Sequence, residues 1–223
     1  MNRLQSEKQR LYLMASPVPG QTRVMVLELA RPADWEALSQ VWRGVQLDLQ
    51  LPAPGIAVSG TDGLQLWFSL QAQVSVSQAE AFLAMLRSRY LASIAPARLR
   101  CMPSSSAAWQ APPVPAQQAD TENWSAFVAP DLAPVFADTP WLDIPPSADG
   151  QADLLARLQP IKPAVFDAAM QATTPDNIAN AVPASDQAPG GLDPRDFLQR
   201  VLNDEAAPLA LRVEAAKALL PRH

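Results

Sequence analysis

Proline distribution constrains this chain more than any other feature. Seventeen of its 23 prolines lie at or after Pro103. Each removes a backbone donor and fixes φ, so the second half cannot hold long helices or central strands. The 223 residues suffice for one domain with appendages or for two small domains. An apolar fraction of 48% can fill a core. Histidine occurs once, at His223, and cysteine once, at Cys101. That excludes a Ser-His-Asp or Cys-His pair within one fold, a zinc site with its usual ligands, and an intrachain disulfide. Catalysis would have to run on carboxylates, hydroxyls, Lys or Arg.

Charge divides at the same place. Residues 1–102 carry 10 Lys+Arg against 7 Asp+Glu, whereas residues 103–223 carry 7 against 15. The overall charge of −5 argues against a dedicated duplex-DNA binder, which needs a concentrated basic face. The acidic half is expected to solubilise a Pro/Ala-rich extension or to compete with an anionic ligand. The polar start, Met1–Arg10, lacks the apolar run of a signal peptide. No apolar run approaches the roughly 18 residues that span a bilayer. With a lone cysteine, the expected location is the cytoplasm, with no membrane partner.

Thr22–Ala30 reads as a strand, and Arg10–Met14 as a further strand at an edge. Asp34 opens a helix whose apolar positions Trp35, Leu38, Val41, Trp42, Val45 and Leu49 recur at spacings of three and four. Gly55–Ser59 and Leu64–Leu70 form a hairpin around Gly60-Thr61-Asp62-Gly63. Ser77, with Glu80 three residues on, is expected to cap the next helix, and Ala97–Met102 supplies the last strand. The fold class is therefore α+β, with a β-α-β-β-α-β core of ferredoxin-like or RRM-like type. Residues 103–121 read as a linker and 122–172 as an aromatic segment with short helices packed onto the core. Residues 173–192 read as a second linker and 193–223 as a helix pair.

Strand alternation selects the candidate site. Glu28 on the first strand and Gln65 and Trp67 on the hairpin share one face, opposite the helices. Open, that face makes a ligand site of carboxylate, amide and indole. Covered by the Trp124–Trp141 segment, it makes a core. Ser59 and Asp62 otherwise serve the turn.

Strand, helix and the Ser59-Gly60-Thr61-Asp62-Gly63-Leu64 hairpin together resemble the core of the archaeo-eukaryotic primase-polymerase superfamily over residues 22–102. In that family two acidic residues on the first strand hold divalent metal, and a histidine in the hairpin contacts nucleotide phosphate. The acidic positions fall on Glu28 and Ala30, and the histidine position on Gln65. Ser59, Gly60 and Gly63 match the turn. The resemblance implies a ligand site of Glu28, Ser59, Gly60, Gly63, Gln65 and Trp67 for a nucleotide or single-stranded nucleic acid. The departures imply lost catalysis and no cofactor: two-metal transfer needs several carboxylates clamping ions about 4 Å apart. Asp143 is a candidate third carboxylate. The RNA-recognition pattern K/R-G-F/Y-G/A-F is absent. Carboxylates are plentiful enough to leave a carboxylate-dependent hydrolase open, but no spacing singles out a pair.

The expected function is thus a degenerate, non-catalytic primase-polymerase-like domain in DNA metabolism. The alternative is an adaptor whose C-terminal helices recruit a protein through Phe197, Val201, Leu209 and Val213.

Overall fold

Two helical layers enclose a single antiparallel sheet in the computed structural model, which describes residues 2–13, 18–104 and 112–172. The sheet comprises β1 (Gln21–Ala30), β2 (Gly55–Val58), β3 (Gly63–Ser75), β4 (Leu99–Met102), β5 (Ala116–Gln117) and β6 (Trp124–Val128). Their order is β4-β1-β3-β2-β6-β5. The architecture is α+β, with five α-helices among the described residues.

One face carries the larger core. Met25, Leu27 and Leu29 of β1 and Leu64, Leu66 and Phe68 of β3 point the same way, as a period of two requires. They meet α2 (Trp35–Leu47) and α3 (Val76–Tyr90). Asp34 caps α2 by accepting a hydrogen bond from the Ala37 amide at 3.0 Å. The spacing of Leu38, Val41 and Val45 then turns one stripe inward. The cap of α3 is Ser75, in reciprocal contact with Gln78, rather than the expected Ser77 with Glu80. Strand β3 runs five residues past Leu70, so the helix starts where the strand stops. Phe166 of α5 (Pro163–Gln171) joins this core against Phe82, ring centroids 5.3 Å apart.

The opposite face is covered too, in part by one of the short helices expected within 122–172 and in part by an unexpected helix at residues 3–11. The described part of the expected edge strand, residues 10–13, forms no strand. Arg3–Leu11 is α1, closed at its start by a capping box between Asn2 and Gln5. Leu11 and Tyr12 pack on Val26 and Trp67, together with Leu155 of α4 (Ala148–Ala156) and Phe127 of β6. Two arginines fasten this layer. Arg10 donates to the Leu155 and Leu158 carbonyls at 2.8 and 3.0 Å, at the end of α4. Arg23 donates to the Arg10 carbonyl at 2.7 Å and to that of Leu13 at 3.2 Å, at the end of α1. Each helix thus has an arginine guanidinium donating to carbonyls at or just past its last turn.

The proline-rich half is more regular than its composition implies. Prolines flank β6 but spare residues 124–128, which pair with β2 and extend the sheet instead of wrapping over it. Within the 103–121 stretch, β5 pairs with β6 and Val114 is buried in the second core. Gln151 of α4 completes the arrangement. Its amide accepts from the Phe127 N–H and donates to the Phe127 carbonyl, both at 2.8 Å. The side chain thus pairs with a stretch of β6 that β5 is too short to reach. Gln151→Leu orphans both buried backbone groups, and we expect it to cost about 2–4 kcal/mol, measured as a shifted urea midpoint at unchanged slope.

The expected second linker (173–192), the helix pair (193–223) and the partner residues Phe197, Val201, Leu209 and Val213 lie outside the described residues.

Candidate functional site

Strand pairing brings the predicted residues together. Glu28 lies directly opposite Gln65 in the β1–β3 ladder, and opposite Arg100 in the β1–β4 ladder. Trp67 follows Gln65 by two residues and shares its face. Gln65 Nε2 donates to Glu28 Oε2 at 2.7 Å, and Trp67 Nε1 donates to Gln65 Oε1 at 2.9 Å. Arg100 Nη1 donates to the other carboxylate oxygen, Glu28 Oε1, at 2.8 Å. The chain Arg100–Glu28–Gln65–Trp67 fixes the amide's orientation, because only its NH₂ can serve the carboxylate and only its oxygen can accept from indole.

This network is closed to solvent. Glu28, Gln65 and Trp67 are 3%, 1% and 4% exposed; the side chain of Arg100, at 35%, forms the outer end. Such burial of a carboxylate is tolerable only when it is paired and hydrogen-bonded, and both conditions hold here. The Trp67 ring is edge-on to Tyr12 at 5.2 Å and to Phe127 at 5.5 Å, and those two stack at 5.7 Å. Burial pushes the Tyr12 phenol far above its ordinary pKa, so it stays neutral. The indole is thus packed among protein rings and almost wholly buried, which leaves too little of it for base stacking.

The hairpin residues serve the backbone. Ser59 Oγ accepts from the amides of Thr61 at 3.1 Å and Gly63 at 3.0 Å. Gly60 has φ +83°, and a Cβ there would stand 2.8 Å from the Ser125 nitrogen; its own N–H donates to the Pro140 carbonyl. Gly63 makes room for the network, since a Cβ would stand 2.9 Å from Glu28 Cγ and 3.1 Å from Ala30 Cβ. Gly63→Ala should therefore displace Glu28 and cost about 1–3 kcal/mol in thermal unfolding.

Two further candidates stay apart from this network. Asp143 is exposed, while the Glu28 carboxylate is filled by Arg100 and Gln65. Among the described residues no group of three or more His, Cys, Asp or Glu side chains is placed to hold a metal ion. Burial raises the pKa of the half-buried Cys101 thiol, with Arg87 opposing, which disfavours the nucleophilic thiolate.

Sequence reasoning missed Arg100, although an arginine on the strand beside a buried glutamate is the pairing that charge burial demands. It also missed a cleft where the covered face opens beyond Trp67. The cleft encloses about 760 Å³ between the end of α1, the start of β1, Met102 and the segment around Val114, with Trp67 and Phe127 in its lining. No helix among the described residues is long and apolar enough to cross a membrane. No protein-family model matches the chain, and no curated protein matches it.

Proposed function

We propose that this chain is a non-catalytic binding module on a ferredoxin-like core. In this reading, the position of a primase-polymerase site has become a structural network, and ligand enters the cleft beside Trp67. The β4-β1-β3-β2 order of the first four strands, with helices after β1 and β3, supports the ferredoxin-like assignment. The observation that carries the non-catalytic reading is the state of Glu28. It is a single buried carboxylate, with alanine at position 30, and both oxygens are already bonded to protein donors. Phosphoryl transfer by two metals needs several accessible carboxylates. Nucleotide binding on that face would require α1 and α4 to leave, uncovering Leu11, Tyr12 and Leu155.

The test combines the full chain with Mn²⁺, nucleoside triphosphates and a primed template. We expect no extension, and no calorimetric binding of ATP or an oligothymidine at micromolar concentrations. Extension that disappears in Glu28→Ala would overturn the non-catalytic reading. Micromolar binding of either ligand that Arg100→Gln weakens would return the site to the sheet face, since Arg100 joins the Glu28 network and does not line the cleft.

A further inference from the structure

The cleft's chemistry narrows what it takes. Its volume of about 760 Å³ falls in the range of about 300–1,000 Å³ typical of small-molecule sites. Trp67 and Phe127 contribute aromatic surface, while Val24, Val76, Met102 and Val114 contribute aliphatic surface. Among the described lining side chains, hydrogen-bonding capacity is limited to the exposed Gln21 amide and Lys8 once the engaged or averted groups are set aside. The Trp67 N–H is engaged by Gln65. Thr22 Oγ1 donates to the Val24 carbonyl at 2.8 Å and accepts from the Val24 N–H. The Tyr12 hydroxyl lies against Gly55, which does not line the cleft. A nucleobase or sugar buried here would leave several polar groups unpaired, each costing about 1–3 kcal/mol.

Among the described lining residues, Lys8 carries the one charge; it is the only ionisable side chain there apart from the neutral Tyr12, and none of them is a carboxylate. No hydrogen bond or ion pair engages the Lys8 ammonium among the described residues. Its half-burial lowers its pKa, the mark of a cation short of hydration. At the rim, Leu13 and Val18 are 52% and 46% exposed, an apolar approach to an apolar interior.

We propose that this cleft binds a single-chain amphiphile, its hydrocarbon chain against Trp67 and Phe127 and its carboxylate or phosphate head on the Lys8 ammonium. The proposal rests on the cleft-binding reading above and adds the ligand class. Affinity comes mainly from the apolar chain, and discrimination between heads from the lysine.

Calorimetric titration of the full chain below each probe's micellar concentration tests it, with dodecanoate, dodecyl phosphate and dodecyltrimethylammonium. The expected result is one-to-one binding of the anions and at least about tenfold weaker binding of the cation. Comparing dodecanoate with dodecyl phosphate identifies the preferred head. Lys8→Met keeps an apolar stem without the charge, and Val18→Glu sets a carboxylate on an exposed rim position. Each should weaken the anions by about tenfold with an unchanged melting curve. Equal one-to-one binding of all three probes, indifferent to Lys8→Met, overturns the anionic class and leaves the cleft reading standing. No binding by any probe, or binding of many equivalents, overturns both.

Discussion

Gln65→Leu is expected to destabilise the protein by about 4 kcal/mol, a large share of the roughly 5–15 kcal/mol that holds a domain folded. Leucine fills nearly the same space, so the loss comes from hydrogen bonding and not from a void. Two buried groups lose their partners together: Glu28 Oε2, whose donor stood at 2.7 Å, and Trp67 Nε1, whose acceptor stood at 2.9 Å. Each orphaned group costs about 1–3 kcal/mol, with the carboxylate at the upper end. Arg100 still holds Glu28 Oε1, which limits the penalty to less than that of a bare buried charge. In a thermal melt the change should appear as a drop of about 10 °C. Gln65→Glu supplies the control. It preserves an acceptor for the indole but sets a second carboxylate against Glu28. The pair is unfavourable when both are ionised, so one proton between them restores the missing hydrogen bond. The introduced carboxyl thus has a raised pKa in the folded state. Its folded form gains stability relative to neutral pH as the solution is acidified, until the introduced carboxyl is protonated in the unfolded chain as well. A Gln65→Leu variant that melts with the parent would show that the network is ornamental and would remove the argument for a structural role.

Pairing geometry was the most legible part of this site. A period of two assigned Glu28, Gln65 and Trp67 to one face before any coordinates, and antiparallel pairing then set Glu28 directly against Gln65. The cover of that face was not legible. Residues 3–10 are almost wholly polar, so α1 shows no apolar period. Its signal was the Asn2/Gln5 capping box, which marks a helix start without saying what the helix covers. β6 hid for the converse reason: prolines at 113, 115 and 130 dominate its neighbourhood, yet none falls within the five residues that pair. Gln151 left least trace. An amide between Gly150 and Ala152 reads as an ordinary surface residue until the Phe127 backbone beside it is seen. Local periodicity thus found the site's own residues, while the long-range choice between an open and a covered face rested on single polar side chains.

Trp67→Ala should be the most damaging single substitution, at about 3–5 kcal/mol. Trp67 joins both halves of the covered layer: its ring lies edge-on to Tyr12 and Phe127, and its N–H ends the polar chain. Alanine leaves a void where the indole stood and orphans Gln65 Oε1, so the packing and hydrogen-bond losses fall together. Trp67→Phe separates them. Phenylalanine retains an aromatic surface for Tyr12 and Phe127 while removing the indole donor, and about 1–3 kcal/mol is expected. The two variants also distinguish what the ring does for ligand. Because Trp67 lines the cleft, Trp67→Phe should keep amphiphile binding within a few-fold of the parent, its apolar surface being largely retained. In Trp67→Ala the cleft and the void become continuous, and chain-length preference should shift toward longer amphiphiles in the fraction that remains folded. Urea titrations of both variants, read alongside calorimetry with decanoate and tetradecanoate, measure these effects in one series. Equal stability of Trp67→Ala and the parent would contradict the packing of Tyr12 and Phe127 around this ring. An unchanged chain-length preference in folded Trp67→Ala would separate the cleft from the aromatic cluster.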